Sequence, residues 1–209
     1  MEKKLFIICG LSATGKSYWA NVIMDMLKDN NSALVDFDII REETWGKRAK
    51  NLVKEEHWFK NELTRNAIRK AFVVDEVKTV VTIVSMSTRE QKIDMMNMVW
   101  KTEKTLTEIL RQRREKECKK SEGEEAKIKV LALWFDCDDK TAEKRLARRK
   151  SGEEPSPSDL TEMSVWLGNK SWFDKPDGRF YPYVRIDTSE ETIESDEKIK
   201  SQLRDALNN

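Results

Sequence analysis

At 209 residues the chain is about half as long again as the commonest domain, which suits one α/β domain with an insertion better than two independent cores. Lys and Arg number 39 against 38 Asp and Glu, so a net charge of +1 excludes a general basic coat for nucleic acid even though 37% of the residues are charged. The apolar runs are too short to span a bilayer, and one histidine, His57, with three cysteines, Cys9, Cys118 and Cys137, and no CxxC pair cannot assemble a zinc set. The expectation is an untargeted cytoplasmic protein without a membrane segment.

Lys4 to Cys9 reads as a doubly buried parallel strand, and small residues from Gly10 to Gly15 interrupt it before a helical pattern starts near Lys16. That helix carries Trp19, Val22, Ile23, Met26 and Leu27 at helical spacing and stops in the polar turn from Lys28 to Ser32. Ala33 to Phe37 is a second strand. From Ile39 to about Lys70 the pattern is helical, broken at Trp45-Gly46 and cleaner from Glu55 through Phe72. Lys78 to Val84 is a β-branched third strand. One or two long helices follow from Thr88 to about Lys120, ending in the charge-rich stretch Arg111 to Glu125. Ile128 to Phe135 is the fourth strand, Lys140 to Arg149 a helix and Ser151 to Ser158 a Ser/Pro/Gly linker. A further helix is expected from Asp159 to about Leu167, then a short fifth strand, Val184 to Ile186, and a closing helix from Glu190 to Leu207. Strands separated by helices predict βαβ units and a parallel sheet covered on both faces.

Gly10-Leu11-Ser12-Ala13-Thr14-Gly15-Lys16-Ser17 fits GxxxxGK[ST], with the buried strand before it and the amphipathic helix after it that the motif requires. Consecutive N–H groups of Gly10, Ser12, Ala13, Thr14 and Gly15 can converge on a phosphate at the positive end of the helix. Lys16 would bridge the β- and γ-phosphates of ATP, and the Ser17 hydroxyl would enter the Mg²⁺ shell. The second strand ends in Val35-Asp36-Phe37-Asp38-Ile39-Ile40-Arg41, placing carboxylates at the edge where open α/β sheets bind ligands. Asp38 and Arg41 face the same way if the chain turns helical after Phe37, so a carboxylate that can take a hydroxyl proton stands beside a guanidinium that can hold a phosphate. The competing reading makes Asp38 a helix N-cap with Arg41 on the surface.

With both segments in view, GLSATGKS followed by VDFDIIRE resembles the P-loop kinases that phosphorylate hydroxyl groups, among them polynucleotide kinases, zeta-toxin-like kinases, seryl-tRNA kinases and adenylylsulfate kinases. The resemblance to polynucleotide kinases implies that Asp38 is the general base and Arg41 an acceptor-phosphate ligand. It also implies that Arg145 and Arg149, in R-x-x-x-R spacing on one helix face, belong to a lid of about residues 141–167 that neutralises the transferring phosphoryl group. Asp36-Phe37-Asp38-Ile39-Ile40-Arg41 also resembles the D-G-D-N-x-R of adenylylsulfate kinases, and Asp187-Thr188 the end of the last strand in these enzymes. One departure stands out: the third strand runs into Ser85-Met86-Ser87 with no acid, which leaves Mg²⁺ to Ser17, the phosphates, water and Asp36 or Asp38.

The expected whole is therefore one α/β domain over 1–209: a three-layer P-loop NTPase-type parallel sheet of about five strands, with a helical insertion at about 88–127 and the lid. Its expected activity is transfer of the γ-phosphoryl of ATP·Mg²⁺ to a hydroxyl-bearing acceptor. A nucleic-acid acceptor is favoured because D-x-x-R and R-x-x-x-R occur together; Arg111, Arg113 and Arg114 could track its backbone, although a solvated helix is the stronger reading of that stretch, and adenylylsulfate or another small nucleotide, and a non-catalytic NTP-binding switch, are the alternatives.

Overall fold

The computed structural model describes residues 1–46, 54–84, 88–116, 125–151, 163–173, 175–176 and 178–208. Five strands form a single parallel sheet: β1 (Glu2–Cys9), β2 (Ser32–Asp36), β3 (Thr79–Ile83), β4 (Lys127–Asp136) and β5 (Tyr183–Asp187), in the order β2-β3-β1-β4-β5. The helices are α1 (Lys16–Leu27), α2 (Phe37–Trp45), α3 (Lys54–Val73), α4 (Arg89–Lys116), α5 (Asp139–Ser151), α6 (Met163–Trp172) and α7 (Ile193–Asn208).

The two-residue period of the strands sorts their side chains into two cores. Leu5, Ile7 and Cys9 of β1, with Val80 before and Val84 after the middle of β3, and Ala132 and Trp134 of β4, pack under Ile68, Ala71 and Phe72 of α3 and Met95, Met98, Val99 and Leu106 of α4. Phe6 and Ile8, with Val81, Ile83, Leu133, Phe135 and Ile186, pack under Trp19, Ala20 and Ile23 of α1 and Ile199, Leu203 and Ala206 of α7. Three layers result, with β1 central and covered on both sides, as its unbroken apolar run predicted.

The break at Trp45-Gly46 is present: α2 ends at Trp45, and Gly46 has φ 54° with its N–H bonded to the Glu42 carbonyl. The segment expected as an insertion carries one 28-residue helix, α4, that is the crossover from β3 to β4 and buries one face in the first core. The sixth helix is described from Met163 and runs to Trp172, beyond the expected end at Leu167; its expected start at Asp159, most of the expected linker and Ser85-Met86-Ser87 lie outside the described residues. Among the described residues, no helix is long and apolar enough to cross a membrane.

Candidate active site

Because all five strands are parallel, the loops that follow them share one edge of the sheet. The loop after β1 lies at the middle of that edge and carries the phosphate-binding motif from Gly10 to Gly15, with Lys16 and Ser17 in the first turn of α1. Gly10 has φ 144°, and a Cβ there would stand 2.2 Å from the Phe135 carbonyl oxygen of β4, so the loop leaves the sheet through a gap that only glycine fits. Gly15, at φ 81°, turns the chain into α1.

The carbonyls of this loop are held by side chains, most of them from outside it. Leu11 O accepts from Thr14 Oγ1 at 2.9 Å and from Lys16 Nζ at 2.5 Å. Ser12 O accepts from Trp166 Nε1 at 2.9 Å, Ala13 O from Arg145 at 3.0 Å and Thr14 O from Thr188 Oγ1 at 3.1 Å. In a trans peptide the N–H points opposite to the C=O, so outward carbonyls of Ser12, Ala13 and Thr14 aim the N–H groups of Ala13, Thr14 and Gly15 to the other side. That is a nest of donors at the N-terminus of α1, with affinity for an anion. Ala13 adopts φ 61°, a left-handed conformation unusual for a residue with a Cβ.

Lys16 opens α1. Burial pushes its ammonium down to about 8 from the usual 10.5, against the opposing pull of the nearby Asp38 carboxylate, and Arg149 adds a further downward push. These effects place Lys16, Asp38 and Arg149 within electrostatic reach of one another. Ser17, in the first turn of α1, is exposed and presents its hydroxyl at the same helix end. The thiols flanking the loop are not nucleophiles: burial pushes Cys9 up to about 12 and Cys137 up to about 11.

On the acceptor side the helix cap falls two residues earlier than the competing sequence reading put it. Asp36 is the N-cap of α2, its carboxylate accepting from the Asp38 N–H at 2.8 Å, and burial raises its pKa. Asp38 is thereby left in the first turn with its carboxylate partly exposed, 3.3 Å from the Arg41 guanidinium. Arg41 is buried, at 8% exposure, rather than on the surface. For Mg²⁺ the Ser17 hydroxyl and the Asp36 carboxylate are suitable oxygens. Among the described residues no cluster of three or more His, Cys, Asp or Glu side chains could hold a metal by itself.

The two lid arginines have separate surroundings. Arg145 braces the site: besides Ala13 O it donates to Thr188 O at 2.7 Å and to Glu191 at 2.9 Å. Glu191 also meets Lys144 at 3.0 Å and Arg148 at 3.2 Å, and the Arg145 hydrogen bond holds its carboxyl down at about 2. Arg149 is the lid arginine close enough to Lys16 for its charge to lower the lysine's pKa. The sequence reading gave Trp166 no role and Thr188 only a place at the end of the last strand. Of the other tryptophans without an explanation, Trp45 stacks edge-on against Phe59 at 6.1 Å.

A small cavity of about 20 Å³ is walled by Phe37 of α2, Asn61, Thr64 and Arg65 of α3, Val84, and Gln91 and Met95 of α4. Lys60 Nζ lies 3.7 Å over the Phe37 ring, and Arg65 is held by Glu62 at 2.5 Å and Asp94 at 3.4 Å. The basic end of α4 is elsewhere. Glu103 and Thr107 of α4 accept the N–H groups of Ile128 and Ala126 at the start of β4, and Arg113 pairs with Glu76 ahead of β3, so Arg111 to Arg114 lie at the opposite edge of the sheet. Arg111 itself is bonded to Glu108 at 2.7 Å and Glu115 at 2.5 Å.

The comparisons with known proteins agree with this architecture. The family described as AAA domain matches residues 5–176. The Mycobacterium tuberculosis APS kinase, solved with AMPPNP and APS, is 15% identical with a TM-score of 0.58, covering 99% of this chain and 98% of its own. A gluconokinase from Sinorhizobium meliloti 1021 is 14% identical with a TM-score of 0.56 over 99% and 94% of the two chains. Chaetomium thermophilum Kti12, solved with ADP-AlF3, is 13% identical with a TM-score of 0.59 over 96% and 97%. No curated protein matches the sequence significantly. With four-fifths of its length matched and its P-loop built as the motif requires, the chain belongs to this AAA-domain family and carries the P-loop kinase fold.

Proposed function

We propose that the protein transfers the γ-phosphoryl group of ATP to a hydroxyl of a small acceptor held beside Asp38. The observation that carries this reading is the juxtaposition of Lys16 and the inward-facing N–H nest with the Asp38 carboxylate. The loop N–H groups and Lys16 bind the phosphates. Asp38 accepts the acceptor's hydroxyl proton as its oxygen forms a bond to the γ-phosphorus, and the bond from phosphorus to the bridging oxygen breaks to leave ADP. Arg149, close to Lys16, offsets the charge of the transferring group, while Arg41, 3.3 Å from the Asp38 carboxylate, orients it. Mg²⁺, when held by Ser17 and Asp36 with the phosphates, supplies further charge neutralisation. A non-catalytic switch has no use for a carboxylate so placed.

Charge favours a small acceptor over the polynucleotide that the sequence suggested. Arg65 of α3, close to Phe37 of α2, is already compensated by two carboxylates. The basic residues expected to guide nucleic acid are ion-paired at the far edge. The test is ADP release from MgATP in the presence of adenylylsulfate, gluconate, nucleosides and a 5′-hydroxyl oligonucleotide, each added separately. Release with a small acceptor and none with the oligonucleotide supports the reading; ADP release indifferent to every acceptor contradicts it.

A further inference from the structure

Among the described side chains of α6 only Trp166 is buried, at 1% exposure, while Val165 and Leu167 on either side of it face solvent. A helix with no apolar stripe has little packing to hold it in place. Here the Trp166 ring supplies the hold, packed with Ala13, Cys137, Ala142 and Leu146, and Lys170 adds an ion pair to Asp139 at the start of α5. The polar atom of the ring, Nε1, donates to the Ser12 carbonyl oxygen. Trp166 thus links the docking of α6, to which Met163 also contributes by packing against the same cluster, with the orientation of the Ser12–Ala13 peptide.

That peptide is also the strained one. Ala13, at φ 61°, holds a conformation that a residue with a Cβ keeps only when its surroundings enforce it, and its methyl is enclosed by the same cluster that encloses Trp166.

We propose that Trp166 is a positioning residue for the nucleotide site: its N–H keeps the Ser12 carbonyl turned outward, aims the Ala13 N–H into the cradle, and so couples docking of α6 to phosphate binding. This rests on the nucleotide reading above. The coupling is reciprocal, because a phosphate that gathers the loop's N–H groups favours the loop shape that Trp166 grips; bound nucleotide therefore holds α6 down.

Trp166→Phe keeps an aromatic ring in the cluster and removes the donor. Calorimetric titration with MgADP should give a dissociation constant about tenfold higher in this variant, the change expected for one buried hydrogen bond. Leu203→Ala, in the core beneath α7, lowers thermal stability by cavity formation and should leave that constant unchanged. In the unaltered protein, saturating MgADP should slow hydrogen exchange of the backbone amides at 163–172. Failure of MgADP to bind the unaltered chain overturns the nucleotide reading and this inference with it. Binding that is equally tight in Trp166→Phe, or exchange at 163–172 that is indifferent to MgADP, overturns the inference alone.

Discussion

Lys16 carries an electrostatic cost that an anion removes. Its pKa in the folded chain, about 8, lies below the ordinary value of 10.5, so the charged form destabilises the fold. The sign follows: the penalty is full below about 8, shrinks as pH rises and is gone above about 10.5. Lys16→Met should therefore raise the ligand-free thermal midpoint near neutral pH, by about 2–4 °C for each kcal/mol recovered. Leu11 O keeps its Thr14 partner in that variant, so no buried carbonyl is stranded. The gain should vanish above about pH 10.5, and MgADP should no longer stabilise the variant; scanning calorimetry across pH measures both. Since the ammonium is the form that grips phosphate, nucleotide affinity of the unaltered protein should fall above about pH 8, by at most tenfold per unit. Affinity that stays level between about pH 7 and about pH 9.5 would contradict that role.

At the scale of single elements, α2 decides where the acceptor carboxylate stands. Asp36 caps the helix, and only because it does so is Asp38 released to face Lys16. Asp36→Ala should lower stability by about 1 kcal/mol and reduce kcat by displacing Asp38, whereas Asp36→Asn, an equally good cap, should restore the thermal midpoint. If Asp36 also holds Mg²⁺, Asp36→Asn should shift the Mg²⁺ dependence of turnover to higher concentration while the midpoint stays normal. A cap misplaced by two residues is the error that sequence reading makes most easily, since helix starts are defined only to within a residue or two. The phosphate loop was legible because its glycines and lysine act locally, between a buried strand and an amphipathic helix. Trp166 was not, because α6 has no apolar period to announce which face docks. Arg145 was half legible: i, i+4 spacing put it on a face with Arg149, but its partners Ala13, Thr188 and Glu191 come from segments distant in sequence.

Across the whole molecule, the sheet separates chemistry from charge. All strand ends that bear site residues share one edge, whereas the basic end of α4 lies about 36 Å away along the helix axis from Arg89 to Arg113. The long polar helix looked like a solvated insertion because its core contacts, Met95, Met98, Val99 and Leu106, are sparse among charges; only the sheet shows it to be a crossover. The central strand β1 was readable, since burial on both faces forces an unbroken apolar sequence, whereas β2 stops before the expected Phe37, which opens α2, and β5, largely not buried, runs one residue beyond the expected Val184 to Ile186 at each end. Replacing Arg111, Arg113 and Arg114 together with Gln should leave turnover and acceptor KM unchanged. If instead an oligonucleotide substrate binds the unaltered protein with a steep salt dependence that the triple variant flattens, the polynucleotide reading regains its footing.

Division of labour between the loop and α2 is the core of the functional account, and Asp38→Asn probes it most directly. The substitution preserves shape and removes the proton acceptor at the edge facing Lys16. Steady-state transfer to whichever acceptor supports turnover, measured beside MgATP binding by calorimetry, should show kcat lowered by about 10² or more with the MgATP dissociation constant nearly unchanged. Loss of MgATP affinity with kcat intact at saturation would contradict it, making Asp38 a nucleotide or metal ligand rather than the base.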